Sequence, residues 1–220
     1  MRFTLQAVGS NFRTLFKGKK SAQAAALSNR LKEPDSSSAI RRNCWSIFAG
    51  HVESIIMVKM TITEADEWAI HKRASEVVFA YANNMGMTVH YNNKLNKHEQ
   101  TAEYAESLAA ELMVARYFGL DFDINASKGK READVGQGIE VRWTSYVHGN
   151  LIVYPNDRDN DVAVLVVGKS PTYFIAGWLP MSFCKRKRFK NPRQDSWWID
   201  QGNLNPIENL ARSEYATAAI

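Results

Sequence analysis

The sequence predicts an α/β fold of the mixed, α+β kind, with a central mixed β-sheet flanked by helices. Three observations lead there. Two capped segments with helical spacing of apolar residues come first, from Thr63 and from about Glu99. Five short β-type runs follow, at 133–135, 139–144, 151–154, 162–167 and 173–178. Clusters of Gly, Pro, Asn and Asp separate the runs. Two helices, five strands and an irregular tail suit helices that cover a sheet.

Residues 1–56 read unlike the rest. "FKGKKSAQAAALSNRLKEPDSSSAIRRN" is small, polar and basic, with a Ser run. Residues 1–60 hold ten Lys+Arg against three Asp+Glu, while the remainder holds 18 against 20. The formal net charge of +5 therefore belongs to the N-terminal segment. Three readings compete there: a disordered basic arm, a transit-type peptide, or translation assigned from too early a start. Met57 and Met60 precede the first helix, so residues 57–220 form the expected single domain and 1–56 an extension that it does not need.

The first helix opens at Thr63, an N-cap followed by Glu64, Asp66 and Glu67, where the helix dipole favours acids. Trp68, Val77, Val78 and Tyr81 offer apolar anchors, and Gly86 is placed to end it. "VHYNNKLNKHEQ" reads as a polar connection. The second helix, about Glu99 to Phe118, closes at Gly119. Glu111 lies beside its apolar face, with Leu108, Val114 and Ala115 at three- and four-residue spacings. Glu103 and Glu106 are expected on the wet side.

The strands begin with the chemistry. In "EADVGQGIEVRWTS", "VGQG" makes a turn that should bring Asp134 against Glu140. Strand alternation puts Glu140, Arg142 and Thr144 on one face and Ile139, Val141 and Trp143 on the other, in the core. Two adjacent, partly buried carboxylates repel, and a divalent cation relieves them. Magnesium accepts one or two carboxylates, a backbone carbonyl and waters. Glu111, Asp134 and Glu140, with the carbonyl of Val141, are the expected ligands. The competing reading is an ordinary cross-strand pair of Glu140 with Arg142.

The segments "AAELMVARYFG" and "ADVGQGIEVRWTS" together resemble the PD-(D/E)xK nuclease superfamily, of the phage-encoded type with a helix acid, an Asp and an E-x-K-type strand. The resemblance covers roughly residues 100–180, and "GNLNPIENL" is similar to the end of such phage proteins. It implies a restriction-endonuclease-like fold and hydrolysis of DNA phosphodiesters with Mg²⁺, Mn²⁺ being a second fit. Glu111 falls on the helix acid, Asp134 on the motif's Asp, Glu140 on its second acid and Arg142 on its Lys; these four are the candidate catalytic residues. Two positions depart from the pattern. Ala133 stands where the family usually has Pro. Arg142 replaces the Lys, and an arginine stays protonated, able to orient and neutralise but not to take a proton. Lys128 and Lys130 lie nearby in sequence as a possible source of an ammonium.

Other features have two readings each. "CKRKRFK" contains Lys185, Arg186, Lys187 and Arg188, which suit phosphate contacts or a solvated loop. His148 suits a phosphate or water contact, or plain exposure. "YPNDRDND" resembles a calcium loop but lacks its Gly and its closing Glu, so a polar turn is expected. Trp143, Trp178, Trp197 and Trp198 suit base stacking or core packing. Cys44 and Cys184 form no CxxC pair, so neither a disulfide framework nor a structural zinc site is expected. No run approaches the ~18 apolar residues of a membrane span, so a cytoplasmic protein without a membrane partner is expected, in the bacterial host if phage-encoded. Three classes remain: a DNA-cutting metal-dependent nuclease, a nuclease-fold protein that binds DNA or a partner without cutting, and an accessory or structural phage protein.

Overall fold

The computed structural model describes residues 57–83, 95–126 and 132–220. The chain divides after Gly50, and all described residues belong to the second unit. The extension 1–56, the stop at Gly86 and the lysines at 128 and 130 lie outside the described residues.

The elements run β1 (Val58–Thr61), α1 (Glu64–Asn83), α2 (Lys97–Phe118), β2 (Ile139–Thr144), β3 (Leu151–Val153), β4 (Val162–Lys169), β5 (Thr172–Pro180), α3 (Met181–Cys184), β6 (Trp197–Ile199) and α4 (Ala216–Ala219). Short 3₁₀ turns fill the tail. The sheet order is β1-β5-β4-β2. β5 runs antiparallel to β1 and β4, and β2 runs parallel to β4, so the sheet is mixed. β3 and β6 form a separate antiparallel pair.

Both long helices start where their caps say. Asp66 N–H donates to Thr63 Oγ1 at 3.2 Å, and Thr63 N–H donates back to Asp66 Oδ2 at 3.0 Å. Asn96 and Glu99 make the same reciprocal box at the start of α2, at 3.0 and 2.9 Å. α2 ends at Gly119, whose φ of 68° is the left-handed conformation that glycine adopts without a Cβ penalty.

The sheet divides two cores. On one face Ile139, Val141, Val162, Val164, Val166 and Ile175 pack with Leu112, Met113 and Val114 of α2. On the other, Ala163, Leu165 and Val167 pack with Leu151, Val153, Met181 and Ile199. β4 is therefore buried on both faces, which is why its sequence is an unbroken apolar run. The tail joins the first core through Ile207 and Leu210.

Three expectations change. Residues 133–135 are no strand: Val135 makes a single antiparallel bridge to Ile139, because the chain turns at once. β1 and β6, four and three residues long, are too short for alternation to show in the sequence. Glu106 is half-buried rather than simply solvated: its Oε2 accepts from Tyr173 Oη at 2.7 Å and from Ser170 N at 3.2 Å, and all three residues line an open pocket. Among the described residues, no helix is long and apolar enough to cross a membrane.

Candidate metal centre at the edge of the sheet

The turn that the sequence singles out is built by two glycines. Val135 and Ile139 exchange both backbone hydrogen bonds at 3.1 Å, which closes residues 136–138 into a tight loop. Gly136 has φ 58°, and a methyl group there would sit 2.5 Å from the Ala219 carbonyl oxygen. That same carbonyl accepts from Gln137 N at 3.1 Å and Gly138 N at 3.3 Å. The turn is thus held from outside by α4, and residues 134 and 140 are held beside one another.

Asp134 uses this position. Its Oδ2 accepts from Val141 N at 2.8 Å. Among the described strands β2 lies at one edge of the sheet, with β4 as its neighbour. Since the Val141 N–H goes to Asp134, the peptide groups of this residue point out of the sheet edge. Its carbonyl faces the same way, 3.4 Å from Arg142 Nη1.

Glu140 and Arg142 share the face away from α2, as alternation requires. Arg142 lies among acceptors on three sides. Nη1 donates to Glu140 Oε1 at 2.7 Å, Nη2 pairs with Asp157 Oδ2 at 2.9 Å, and Nε donates to the Ile152 carbonyl at 3.2 Å. Burial alone would lower its pKa; the charges of Glu140 and Asp157 and their hydrogen bonds more than reverse this. Arg142 is a fixed cation that ties β2 to β3 and to the 155–161 loop. The expectation that it reaches toward a phosphate or an attacking water is not what this arrangement favours, because all three of its nitrogens already face protein acceptors.

Glu140 remains strained electrostatically despite that partner. Its pKa is raised, first by burial and then by the charge of Asp134, with Arg142 only partly offsetting them. Glu111 is half-buried on α2 and engaged in an interaction of its own. It and Asp134 are close enough to Tyr104 that, after burial, their charges add to the rise in the tyrosine's pKa. Among the described residues, no group of three or more His, Cys, Asp and Glu side chains is placed to hold one metal ion. The expected convergence of Glu111, Asp134 and Glu140 on one metal position is therefore not found among the described residues; Asp134 and Glu140 feel one another's charge.

"YPNDRDND" is a turn, but a structural one that sequence reading underrated: Asp157 accepts from Tyr154 N at 2.8 Å besides pairing with Arg142. An acid on a polar loop gives no sequence sign that its partner lies fifteen residues upstream. Lys185 clamps the same loop, donating to the carbonyls of Pro155 and Asp157 and to Asp159 at 2.6 Å. Arg186 and Arg188 are exposed, each over a phenylalanine ring (Phe183 and Phe189), and Lys187 is exposed beside them. Trp178 is core, and Trp197 lies under Lys190 Nζ at 3.9 Å. Trp143 is half-buried rather than fully in the core, because its indole N–H turns to the Gly168 carbonyl at 2.9 Å. His148 is exposed, and Trp198 is 38% exposed. Cys184 is buried, its thiol pushed up to about 12 by burial.

Comparison with protein-family models, with curated proteins and with solved structures found no match for this chain.

Proposed function

We propose that this chain is a metal-dependent hydrolase of DNA phosphodiester bonds, with a restriction-endonuclease-like fold of the phage type. One arrangement carries the reading: Asp134 caps the Val141 amide at the sheet edge, and its charge acts on the carboxylate of Glu140, the residue before Val141. The two carboxylates and the Val141 carbonyl are hard oxygen donors, and Mg²⁺ or Mn²⁺ needs no more than one or two carboxylates beside water and phosphate. Asp134, Glu140 and Val141 are the residues that would hold the ion, which would share Glu140 and the Val141 carbonyl with Arg142 Nη1. Such an ion polarises a phosphate and lowers the pKa of a bound water.

The chain's own groups do the rest. Asp134 is oriented by the Val141 N–H. Arg142 is a positioning residue: it holds Glu140 in one rotamer and favours its charged form. Glu111 adds negative potential near Asp134. The location expected for such an enzyme is the host cytoplasm.

The engagement of Arg142 favours a second reading, a nuclease-fold protein that binds DNA or serves as an accessory protein without cutting. An arginine cannot take a proton from water, and this one has its donors committed. Titration calorimetry with Mn²⁺ and a cleavage panel of single-stranded, duplex, nicked and branched DNA test both. Asp134→Asn keeps an acceptor for Val141 N–H and removes the charge. It should lose metal binding and cutting together. Metal binding without cutting supports the second reading. An Asp134→Asn protein that binds Mn²⁺ as the parent does would remove the site.

A further inference from the structure

Next to Arg142 lies an open cleft of about 670 Å³, within the roughly 300–1,000 Å³ of ordinary ligand sites. Its lining includes Arg142, Thr144, Tyr146, His148, Tyr154 and Trp198. Tyr146 comes from the loop after β2, Tyr154 from the end of β3 and Trp198 from β6. Tyr146 is 76% exposed, which places a large ring in water at appreciable hydrophobic cost.

That loop is held. The side-chain amide of buried Gln201 donates to the carbonyls of Val147 at 2.7 Å and Gly149 at 3.0 Å. Tyr146 N donates to Thr144 Oγ1 at 3.3 Å, and Gly149 N to the Tyr146 carbonyl at 2.9 Å. The Trp198 indole N–H donates to Ser196 Oγ at 3.0 Å, fixing the ring. Exposed aromatics on a pinned backbone lose little conformational freedom when something flat packs on them.

We infer that this cleft is a stacking site for unpaired nucleotides, so that the candidate centre beside it takes DNA with a single-stranded stretch. The inference rests on the proposed function only in naming that strand as the centre's substrate. Paired bases have their faces covered by neighbours in the duplex, whereas an unpaired base offers both faces to Tyr146 and Trp198. Exposed Arg186, Lys187 and Arg188 lie in the stretch before β6, which the Lys190–Trp197 bridge joins to that strand, and suit phosphate contacts.

The test uses the full chain in EDTA, so that binding is read without cutting. Fluorescence anisotropy compares a labelled oligothymidylate of about ten nucleotides with a duplex of the same length. The single strand should bind more tightly. Tyr146→Ala and Trp198→Ala should each weaken it roughly tenfold, Tyr146→Phe should keep most of the affinity, and Trp68→Ala, an exposed ring outside the cleft, should change nothing. Thermal unfolding checks the fold of each; Tyr146, being exposed, gives a readable variant even if Trp198→Ala unfolds. Parental affinity in Tyr146→Ala, equal binding of the duplex, or no oligonucleotide binding at all overturns the inference, the last result leaving the cleft to a protein partner. A parent that never cuts, yet binds single strands through Tyr146, defeats the nuclease reading alone. A parent that cuts, with cutting and binding indifferent to Tyr146→Ala, defeats this inference alone.

Discussion

Arg142 concentrates the questions at the scale of single residues. Its planar fork meets Glu140, Asp157 and a backbone carbonyl at once, a geometry that a lysine's single nitrogen cannot reproduce. Arg142→Lys should therefore lower stability by about 1–3 kcal/mol, since a partly buried acid is left short of a partner. Urea unfolding checks this, and a change within about 0.5 kcal/mol would mean that the three contacts contribute nothing net. If cutting is found, equal or higher activity in the lysine variant would show that the position keeps its proposed role. Glu140 supplies a pH test. Its pKa is raised by burial and by Asp134, so the proton competes for the carboxylate above the ordinary glutamate value of about 4.3. For folding, the sign is that this group favours the native state most at acid pH and less as pH rises through its native pKa. For metal, the sign is the reverse: affinity falls as pH falls through that value. Removing Arg142 deletes the cation that lowers Glu140, so in Arg142→Met the midpoint of Mn²⁺ binding should move to higher pH. A midpoint that stays put, or moves down, would show that Arg142 does not set the charge of Glu140.

At the scale of elements, α1 and α2 are locked together by one charged pair. Arg116 binds both oxygens of Asp66, at 2.7 and 2.6 Å, while Asp66 also caps α1 through Thr63. The Arg116 hydrogen bond is the main reason that the Asp66 pKa is held well below the carboxylate range. A depressed pKa stabilises the fold above the unfolded value of about 3.9 and loses that contribution as pH falls below it. Asp66→Asn should cost about 1–2 kcal/mol at neutral pH, and should flatten the decline of the melting temperature below about pH 4. Calorimetry across that range decides it: a variant as acid-sensitive as the parent would place the sensitivity elsewhere. The cap at Thr63 was legible because capping follows from residues three apart. The partner of Asp66 was not, because Arg116 is fifty positions away.

For the whole molecule, the second unit closes its own cores. β1 begins at Val58 and pairs with β5 from Val58↔Ile175 to Thr61↔Thr172, and Met57 packs on the second core. A protein of residues 57–220 should thus melt where the full chain does. One of residues 60–220 should melt several degrees lower, because it loses Val58 and Lys59 from the edge strand. Equal melting of all three would show that β1 contributes little, and a large loss at 57–220 would show that the extension is needed after all.

What the sequence determined by itself is local. Two helices, the cap at Thr63, the glycine stop at 119 and the face that Glu140 shares with Arg142 all follow from periods of 3.6 and 2 and from capping chemistry. The turn at 136–138 followed too, from glycines in "VGQG", and with it the meeting of Asp134 and Glu140. Only the tertiary structure decided what each polar group meets. Asp157 came to Arg142, Gln201 to the 146–149 loop and Glu106 to Tyr173 because the chain folds back over tens of residues. Side-chain period fixes the direction in which a residue points, but the identity of its partner depends on long-range packing of the whole sheet, which no window of sequence contains.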